Sequence, residues 1–473
     1  KKAKTHKIMK HLLIGLLPVI FFAYYKHGLS LYFRNQVTFI ESLRPLIMML
    51  VGALTSVISE FIFYRVTKPK ESLKTDFKNV RDSFAIFPGL FLALILPINT
   101  PYHILILGAV FASIVGKMLF GGFGKNIFNP ALVGGLFLSG AYPEIVGRVS
   151  NYFNLYEIDT IGGVTPLTHL STNNYIAPYE TIVEPFGNLL DFFFGSIPGA
   201  IGETSAYFIL IGFLYLVLKK VINARIPVIY ISTVFVMTYI IGSLFDFGIW
   251  YPIFHILSGG LFFGAVYMAT DPVTSPTTPS GQVLYALGLG ILTVTFRFLT
   301  NYPEGVLTSI LVMNMLTPII DKKMGEYRHK GFKSILISVM IAILIGVGVI
   351  YAIYNRINSL NVPEEPTVEG PVELVETKNI EDETIYLVIA DAFKKESIEA
   401  EVYVKDKQIT KIVIISHKET PAWGGEVIED ETFINNLIKH QDNLEKVDTV
   451  SGVTRTADGL IEIVRFIKQE VIK

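Results

Sequence analysis

The chain has 473 residues, of which 51% are hydrophobic and only 17% are charged. A soluble domain normally carries a larger charged fraction, so this composition indicates an integral membrane protein. The formal net charge of −1 hides a division, because residues 361–473 contain 24 acidic and 13 basic side chains and the rest of the chain is basic. There is no cysteine, which excludes disulfides, thiolate nucleophiles and cysteine-ligated iron–sulfur clusters. Any redox chemistry in this chain therefore needs another electron carrier.

Eleven apolar runs are long enough, or nearly so, to cross a bilayer as helices. The first run follows a lysine-rich N-terminus and lacks a small-residue cleavage site, so we interpret it as a retained anchor. The sequence therefore predicts a polytopic all-α membrane body of ten helices plus one more. The runs are 9–25, 44–64, 83–97, 103–119, 128–142, 204–218, 226–244, 252–269, 282–298, 305–320 and 334–354.

The basic residues between these runs indicate the orientation of the body. Lysine and arginine are concentrated in segments 65–82, 219–225 and 321–333. Positively charged loops face the cytoplasm, so these segments and the N-terminus are expected inside. The 143–203 segment and everything after Tyr354 are then expected outside.

Two proline-rich stretches, 96–101 and 269–279, interrupt the apolar runs. Irregular backbone at membrane depth needs protein or a water-filled cavity around it, so these stretches favour an interior site. One stretch follows the third helix and the other follows the eighth, which is the pattern of an inverted repeat. The alternative is that the prolines only end helices, and it explains the first stretch equally well.

Among the ionisable residues within or beside the predicted spans, four are singled out. Glu203 and Asp271 are candidates for function, because ionisable groups at membrane depth are usually functional. A position at the level of the lipid headgroups is the alternative, and it would make them innocuous. Arg44 and Arg297 are predicted to extend their charged ends toward the membrane surface.

The acidic end of the chain has the pattern of a small α+β domain at 361–473. Residues 399–405 and 408–416 alternate apolar and polar side chains about Asp406 and Lys407, which is typical of a β-hairpin. Residues 432–440 and 457–467 show helical spacing. A domain of roughly 110 residues is close to the smallest size that maintains its own core.

Two short segments of the chain repeat each other. Residues 159–165 and 448–454 both read Asp-Thr-x-x-Gly-Val-Thr, and the predicted topology places both outside. Each ends in a threonine close behind a glycine, where a large planar group can approach the backbone. Thr454 also directly precedes the predicted 457–467 helix, whose free N–H groups favour a phosphate. The alternative is ordinary turn chemistry repeated by chance.

Further motifs make a resemblance visible. Residues up to about 330 resemble the D subunit of the Rnf ion-translocating electron-transport complex and the related B subunit of the sodium-pumping NADH:quinone reductase. From about Lys333 the chain resembles the G subunit of the Rnf complex, with one helix and then an outer flavin-binding domain marked by 417–421 and 448–454. The motifs of the body are Gly-Gly-Phe-Gly-Lys-Asn-Ile-Phe-Asn-Pro-Ala at 121–131, Gly-Ala-Ile-Gly-Glu-Thr-Ser at 199–205, Met-Ala-Thr-Asp-Pro-Val-Thr-Ser-Pro at 268–276 and Val-Met-Asn-Met-Leu-Thr-Pro-Ile-Ile-Asp at 312–321.

The resemblance implies covalent flavin. In both families a flavin transferase esterifies FMN, through its phosphate, to the last threonine of an Asp-x-x-Ser/Thr-Gly-Ala-Thr motif. This predicts FMN on Thr165 and on Thr454. The other residues that match the motif are Asp159, Gly163, Asp448, Ser451 and Gly452. In this chain Val164 and Val453 replace the usual alanine, and Gly162 replaces the usual Ser or Thr.

The resulting hypothesis is a flavin-carrying subunit of a redox-driven ion translocase in the prokaryotic cytoplasmic membrane. Electrons would pass between the two FMN groups on the way from ferredoxin to NAD, coupled to Na⁺ or H⁺ movement. The expected partners are the iron–sulfur and NAD-binding subunits of an Rnf-type complex, the flavin transferase and the lipid bilayer, but no nucleic acid. We expect no acid–base catalytic residue and no metal site in this chain, and the resemblance suggests a further non-covalent flavin near the broken helices.

Three alternatives stay open. The chain resembles subunits of two complexes, so quinone is an alternative terminal acceptor to NAD. An extracellular electron-transfer module would keep the flavins without pumping ions. A flavin-free secondary transporter or channel would explain the broken helices but leave both threonine motifs without a role.

Overall fold

The structure is a computed structural model that describes most of the chain in two compact units, Lys1–Asn361 and Val362–Lys473. The described residues are 2–147, 165–203, 205–300, 304–330, 332–360, 372–380, 383–390, 398–417, 431–441, 444 and 454–471.

The first unit is built from helices. Its main helices are α1 (Lys2–Tyr24), α2 (Arg44–Thr67), α3 (Leu73–Asp82), α4 (Ile86–Ile95), α5 (Tyr102–Ser113), α6 (Pro130–Ala141), α7 (Pro166–Thr172), α8 (Ala206–Leu218), α9 (Arg225–Leu244), α10 (Trp250–Leu257), α11 (Leu261–Met268), α12 (Pro279–Leu299), α13 (Val306–Lys330) and α14 (Phe332–Leu360). Shorter helical turns lie at Tyr25–Leu29, Ser30–Phe33, Phe39–Ser42, Ile114–Met118, Pro143–Val146, Tyr179–Ile182, Glu184–Phe186 and Leu189–Phe194.

Each of the eleven predicted apolar runs falls on these helices, so the predicted helical membrane body is confirmed. Among the described residues, five helices are at least 18 residues long and apolar enough to cross a membrane without a break. The α10–α11 pair forms a sixth such span, bent by 63° at residues 258–260. Four further helices are apolar but shorter, with 10–17 residues. The chain is therefore a polytopic helical membrane protein with several short or interrupted spans.

Helix α2 shows how the sequence divides a helix between lipid and protein. Leu50, Leu54, Ile58 and Ile62 recur every four residues and are exposed, so they form a lipid-facing stripe. The opposite face carries small residues and packs on α4. At the contact with Gly89 of α4, an added Cβ would lie 1.9 Å from a backbone oxygen of α2. The glycines therefore let the two backbones approach closely, as is common between membrane helices.

The packing of the body repeats itself. Helix α2 contacts α4 and α5, and α5 contacts α6; likewise α9 contacts α10 and α12, and α12 contacts α13. In the first set, residues 96–101 separate α4 from α5, and in the second, residues 269–278 separate α11 from α12. The two sets share this order of neighbours, and the inverted repeat itself stays a prediction.

The second unit is a four-stranded antiparallel sheet with two helices packed against it. The strands follow the chain in the order β1-β2-β3-β4. Buried side chains of β2, β3 and β4, among them Val388, Val402 and Ile412, join Leu437 and Leu460 of the helices in one apolar core. The elements are β1 (Glu373–Ile380), β2 (Glu383–Ala390), β3 (Ile398–Lys405), β4 (Gln408–His417), α15 (Glu431–Lys439) and α16 (Thr454–Phe466), which a π turn, Ile467–Val471, extends.

The predicted hairpin of this unit is confirmed. Strands β3 and β4 pair antiparallel on either side of Asp406 and Lys407, whose φ angles are +49° and +62°. Two consecutive residues with positive φ are typical of the two-residue turns that match the twist of a hairpin. Strands β1 and β2 were not predicted, and β1 is an exposed edge strand.

Candidate functional site

Thr165 begins helix α7 as its N-cap residue. Its backbone is extended, with φ −77° and ψ 156°, and Pro166 follows at the first helical position. The Thr165 Oγ1 accepts a hydrogen bond from the Thr168 backbone N–H (3.3 Å) and lies 3.0 Å from the Thr168 Oγ1. The hydroxyl that was predicted to carry flavin is therefore held in one orientation by the first turn of a helix.

The rest of the two threonine motifs lies outside the described residues. Asp159 and Gly163 belong to 148–164, and Asp448, Ser451 and Gly452 belong to 445–453. Thr454 is described only as the first residue of α16. The prediction that the helix starts after Thr454 and Thr456 is thus wrong by one turn, and both residues lie within it. Thr454 is still at the end of the helix where backbone N–H groups lack helical partners.

Two carboxyl groups lie beside the bend between α10 and α11, close to α7. An added Cβ on Gly259 would be 2.1 Å from the Glu304 Oε2 and 2.9 Å from the Leu167 Cδ1. On Gly260 it would be 2.5 Å from the Glu203 Oε1. Gly259 also has a φ of +67°, which disfavours any side chain. The two glycines therefore make room for two carboxylates and the first turn of α7.

The Glu304 carboxyl faces Thr165. Burial raises the pKa of this carboxyl, while Arg297, the Gly260 backbone N–H and the Thr165 side chain, which lie close to it, lower that pKa. Its Oε2 is buried and has no hydrogen-bond partner among the described residues. Glu304 thus brings an acidic group to the hydroxyl at which flavin attachment was predicted.

Arg297 is buried inside the protein and does not extend its charged end outward, so the snorkelling prediction is wrong for this residue. Only 1% of it is exposed, and its guanidinium donates to the backbone oxygens of His255, Ser258 (3.1 Å) and Glu304 (3.3 Å). The bend after α10 leaves carbonyl groups without helical partners. Arg297 satisfies them, which fixes both the bend and the backbone of Glu304. Arg44 has a similar role at 96–101, where it donates to the Ile98 (2.8 Å) and Thr100 (3.3 Å) carbonyls.

At the other end of the body, a cavity that is open on one side lies between α1, the start of α4 and two of the sequence motifs. Its aromatic lining includes Phe87 and Tyr267, and its polar lining includes Lys117, Asn126 and Asp271. Mostly apolar walls with a few polar groups are typical of small-molecule sites.

Asn314 of α13 ties together the motifs around this cavity. Its side chain accepts from the Asn129 backbone N–H (3.0 Å) and donates to the Thr274 carbonyl (3.3 Å) and the Tyr285 hydroxyl (2.9 Å). Thr317, one turn further on, also donates to the Thr274 carbonyl (2.9 Å). Three of the four motifs that carry the resemblance thus converge on one hydrogen-bond network.

Asp271 lies in the 268–276 motif, and its hydrogen bonds stay within the loop that it belongs to. Its carboxylate accepts from the Val273 backbone N–H (3.1 Å) and the Thr274 hydroxyl (3.3 Å). Glu203 lies far from it, beside Gly260. The two predicted ionisable candidates therefore belong to two different sites.

Three ionisable residues of these two sites were not predicted from the sequence. Glu60 and Lys117 lie inside predicted spans and form a buried ion pair next to the cavity. Glu304 lies directly before a predicted span. In each case the signal was available, because an ionisable side chain within or at the end of an apolar run is a candidate for function.

The Thr165 region and the cavity lie at opposite ends of α1. Helix α8 runs antiparallel to α1, since His11 bonds the Tyr215 hydroxyl (2.7 Å) and Phe22 stacks on Phe208. Glu203 precedes α8 at the Tyr24 end, whereas Met9 lines the cavity at the N-terminal end. Leu360, the last residue of α14, accepts a hydrogen bond from Asn174 (3.4 Å), so α14 ends at the Thr165 side of the body.

Comparison with protein families gives two matches that divide the chain. The profile of the NQR2, RnfD, RnfE family matches residues 1–330, and that of the FMN-binding domain matches residues 394–468. The first match covers the helices from α1 to α13. The second covers β3, β4, α15 and α16.

Individual relatives belong to ion-translocating oxidoreductase complexes. The chain is 36% identical to the D subunit of the Na⁺-translocating ferredoxin:NAD⁺ oxidoreductase complex of Acetobacterium woodii, over 68% of this chain and 89% of that protein. It is 35% identical to the D subunit of the proton-translocating ferredoxin:NAD⁺ oxidoreductase complex of Clostridium ljungdahlii, over 67% and 89%. It is 36% identical to the B subunit of the Na⁺-translocating NADH-quinone reductase of Chromohalobacter salexigens, over 51% and 58%.

Proposed function

Because the chain belongs to the NQR2, RnfD, RnfE family, we propose that it is the flavin-carrying membrane subunit of an ion-translocating ferredoxin:NAD⁺ oxidoreductase complex. One observation carries this proposal: a single chain contains both the helical body of this family and an FMN-binding domain, and it has no cysteine. Flavin is then the electron carrier that the chain itself supplies. Iron–sulfur and NAD-binding functions belong to partner subunits.

The proposed architecture has three parts: a membrane domain at 1–330, a further membrane helix with its linker at 331–360, and an FMN-binding domain at 361–473. The N-terminus lies in the cytoplasm and the last domain outside the cytoplasmic membrane. The basic segments support this orientation. Leu360, the last residue of α14, lies at the Thr165 side of the body. One chain then holds both flavin groups, so the second flavin does not need to be brought in by association with a separate subunit.

We assign covalent FMN to Thr165 and Thr454, each through a phosphoester made by a flavin transferase. Thr165 is supported by its oriented, half-buried hydroxyl at the start of α7. Thr454 is supported by its place at the first turn of α16, within the region that matches the FMN-binding domain. Asp159, Gly163, Asp448, Ser451 and Gly452 are assigned as the remaining residues of the two attachment motifs.

The cavity next to Lys117 is the proposed place of a non-covalent flavin. Its aromatic walls fit an isoalloxazine ring, and its amide groups at Asn126 and Asn129 fit the polar edge of that ring. A flavin there would supply an electron carrier at the opposite end of the body from Thr165. Lys117 and Asp271 would hold charge close to it.

Electron transfer is proposed to drive Na⁺ or H⁺ across the membrane. Two relatives of nearly equal identity translocate different ions by name, so similarity alone does not select between the two. Uptake of ²²Na⁺ by vesicles of the whole complex during ferredoxin oxidation selects Na⁺, and sensitivity of NAD⁺ reduction to a protonophore instead of a sodium ionophore selects H⁺.

The attachment sites are tested by intact-protein mass spectrometry after co-expression with a flavin transferase. The wild-type chain should gain two FMN-sized increments. Thr165→Ala and Thr454→Ala should each remove one increment, and Thr172→Ala, at the end of α7, should remove none. A chain without any increment would contradict the proposal, and loss of both increments from one substitution would contradict the two-site assignment.

The second candidate is membership of a quinone-reducing complex, which the similarity to the NADH-quinone reductase protein favours. The purified complex decides between them: a ferredoxin:NAD⁺ complex should reduce NAD⁺ with reduced ferredoxin, whereas a NADH-quinone reductase should reduce a quinone analogue with NADH. A flavin-free transporter has no use for the FMN-binding domain. That hypothesis is left without support.

A further inference from the structure

The first turn of α7, which Thr165 caps, lies beside a carboxyl group that comes from a distant part of the sequence. We propose that Glu304 accepts the proton that Thr165 loses when FMN is attached to it. This inference rests on the proposed attachment of flavin at Thr165. It adds a residue of this chain, outside the attachment motif, that takes part in the modification.

The hydrogen bonds of Thr165 leave its proton available for Glu304. The Oγ1 already accepts the Thr168 backbone N–H, so one of its lone pairs is engaged. Its own proton needs an acceptor, and the described residues offer two: the Thr168 Oγ1 at 3.0 Å and the Glu304 carboxyl. Only the carboxylate is basic enough to take the proton. The N-cap hydrogen bond from the Thr168 N–H can also persist after esterification, because the Thr165 ester oxygen keeps a lone pair that can accept it.

The fold holds Glu304 in this place. Its backbone oxygen accepts from the Arg297 Nε (3.3 Å) and from the Val306 N–H (2.8 Å), so the main chain is fixed on both sides. Its Oε2 lies 2.1 Å from the position of a Cβ on Gly259, and the Leu167 side chain abuts the same glycine. The absent side chain at Gly259 is therefore what lets the carboxyl reach the first turn of α7.

The surroundings of Glu304 act in opposite directions, because burial beside Glu203 favours its protonated form whereas Arg297 favours its carboxylate form. Arg297 is the cation that faces it, and Glu203 is the acid that faces it from across Gly260. The Oε2 has no hydrogen-bond partner among the described residues and is buried. A carboxylate with a free lone pair and a second carboxylate nearby gains by becoming neutral.

The chemistry of attachment needs such an acceptor. FMN itself has only hydroxide as a leaving group, so the donor must be a phosphoanhydride of FMN, for which flavin adenine dinucleotide is the natural form. The Thr165 Oγ attacks the phosphorus of the FMN half, the P–O bond to the AMP half breaks, and AMP leaves with the bonding electrons. The hydroxyl proton passes to Glu304. Nothing is oxidised or reduced.

The product also favours a protonated Glu304. The new phosphodiester carries a negative charge next to the carboxyl group. A carboxylate there would repel it, whereas a carboxylic acid donates a hydrogen bond to it. Glu304 therefore serves both the reaction and the finished ester.

The test follows flavin incorporation at both threonines of the same full-length molecule in detergent. Purified apoprotein is mixed with purified flavin transferase, Mg²⁺ and flavin adenine dinucleotide, and peptide mass spectrometry gives separate initial rates at Thr165 and Thr454. Three variants are compared with wild type: Glu304→Gln, Glu304→Asp and Glu180→Gln, whose carboxylate is exposed in the same outer segment.

Glu304→Gln should lower the rate at Thr165 by about 100-fold, the lower range for loss of a general base, and leave Thr454 unchanged. Glu304→Asp should recover part of the rate, and Glu180→Gln should match wild type. A Thr165 rate in Glu304→Gln equal to wild type would show that the transferase alone takes the proton, and an aspartate variant no faster than the glutamine variant would also contradict this role.

A parallel fall at Thr454 would contradict the inference too, because it would show a general defect of the protein. Absence of modification at Thr165 in the wild type is a different result. It would refute the proposed attachment site itself.

Discussion

Lys117 and Glu60 form an ion pair inside the helical body, with 2.5 Å between the Lys117 Nζ and the Glu60 Oε1 and with side chains only 4% and 0% exposed. The Lys117 ammonium also donates to the Ser83 carbonyl (2.7 Å), and the Ser83 hydroxyl donates to Glu60. Because Lys117 lines the cavity, the pair holds a cation at the cavity wall with its charge compensated.

Breaking this pair should destabilise the protein more than removing it. Lys117→Met or Glu60→Met alone leaves a buried charge without its partner and should cost about 3–5 kcal/mol. The double variant should cost less than either single one. Melting temperatures of the purified protein in detergent measure this, with Lys68→Met as the control, because the Lys68–Glu71 pair is exposed and contributes about 1 kcal/mol or less. Additive losses in the double variant would contradict the coupling.

Asn314 should control the non-covalent flavin. Asn314→Leu leaves the Asn129 N–H without its partner and removes one of the two donors to the Thr274 carbonyl, which should cost about 1–3 kcal/mol and loosen both loops beside the cavity. Flavin released by acid denaturation should fall severalfold, while covalent flavin stays unchanged. Asn435→Leu, at an exposed position of α15, is the control and should retain both. Full retention of released flavin in Asn314→Leu would argue against a flavin in this cavity.

The helical body could be predicted because its signals are local. Apolar runs about as long as a bilayer is thick identify spans one at a time, and proline-rich stretches identify interruptions. The bend at 258–260 was missed because its glycines lie inside one continuous apolar run, 252–269. The hairpin was found from its alternation, whereas β1 is an edge strand rich in polar residues and gave no such signal.

The candidate site could be predicted only in part, because its contacts join distant segments. The threonine motifs are visible as short repeats. The contact of Thr165 with Glu304 and that of Lys117 with Glu60 depend on which helices become neighbours, and this is set by packing rather than by sequence spacing. Arg297 was mispredicted for the same reason. Its carbonyl partners exist only because α10 ends where it does.

The turn of the β3–β4 hairpin can be improved. Lys407 adopts a φ of +62°, which glycine tolerates better than lysine does. Lys407→Gly should stabilise the hairpin by about 1 kcal/mol, and amide hydrogen exchange in β3 and β4 of the full-length protein should slow severalfold. Lys411→Gly, within β4, should have the opposite effect because glycine weakens a strand interior. Faster exchange in Lys407→Gly would show that the turn does not limit the stability of the hairpin.

The contact between α2 and α4 should tolerate no side chain at Gly89. A Cβ there would lie 1.9 Å from the Gly52 carbonyl oxygen and 2.6 Å from the Ser56 Oγ, so Gly89→Ala must push two helices apart. Separating them also removes contacts of both helices with their neighbours, and we expect a loss of at least about 3 kcal/mol. Gly140→Ala in α6 is the matched control, because no atom lies within 4 Å of its added Cβ. It should be neutral or stabilising by up to about 1 kcal/mol, as alanine is the better helix former. The melting temperature of each variant is measured from its size-exclusion profile after heating. Equal melting temperatures for the two variants would show that α2 and α4 can separate without cost.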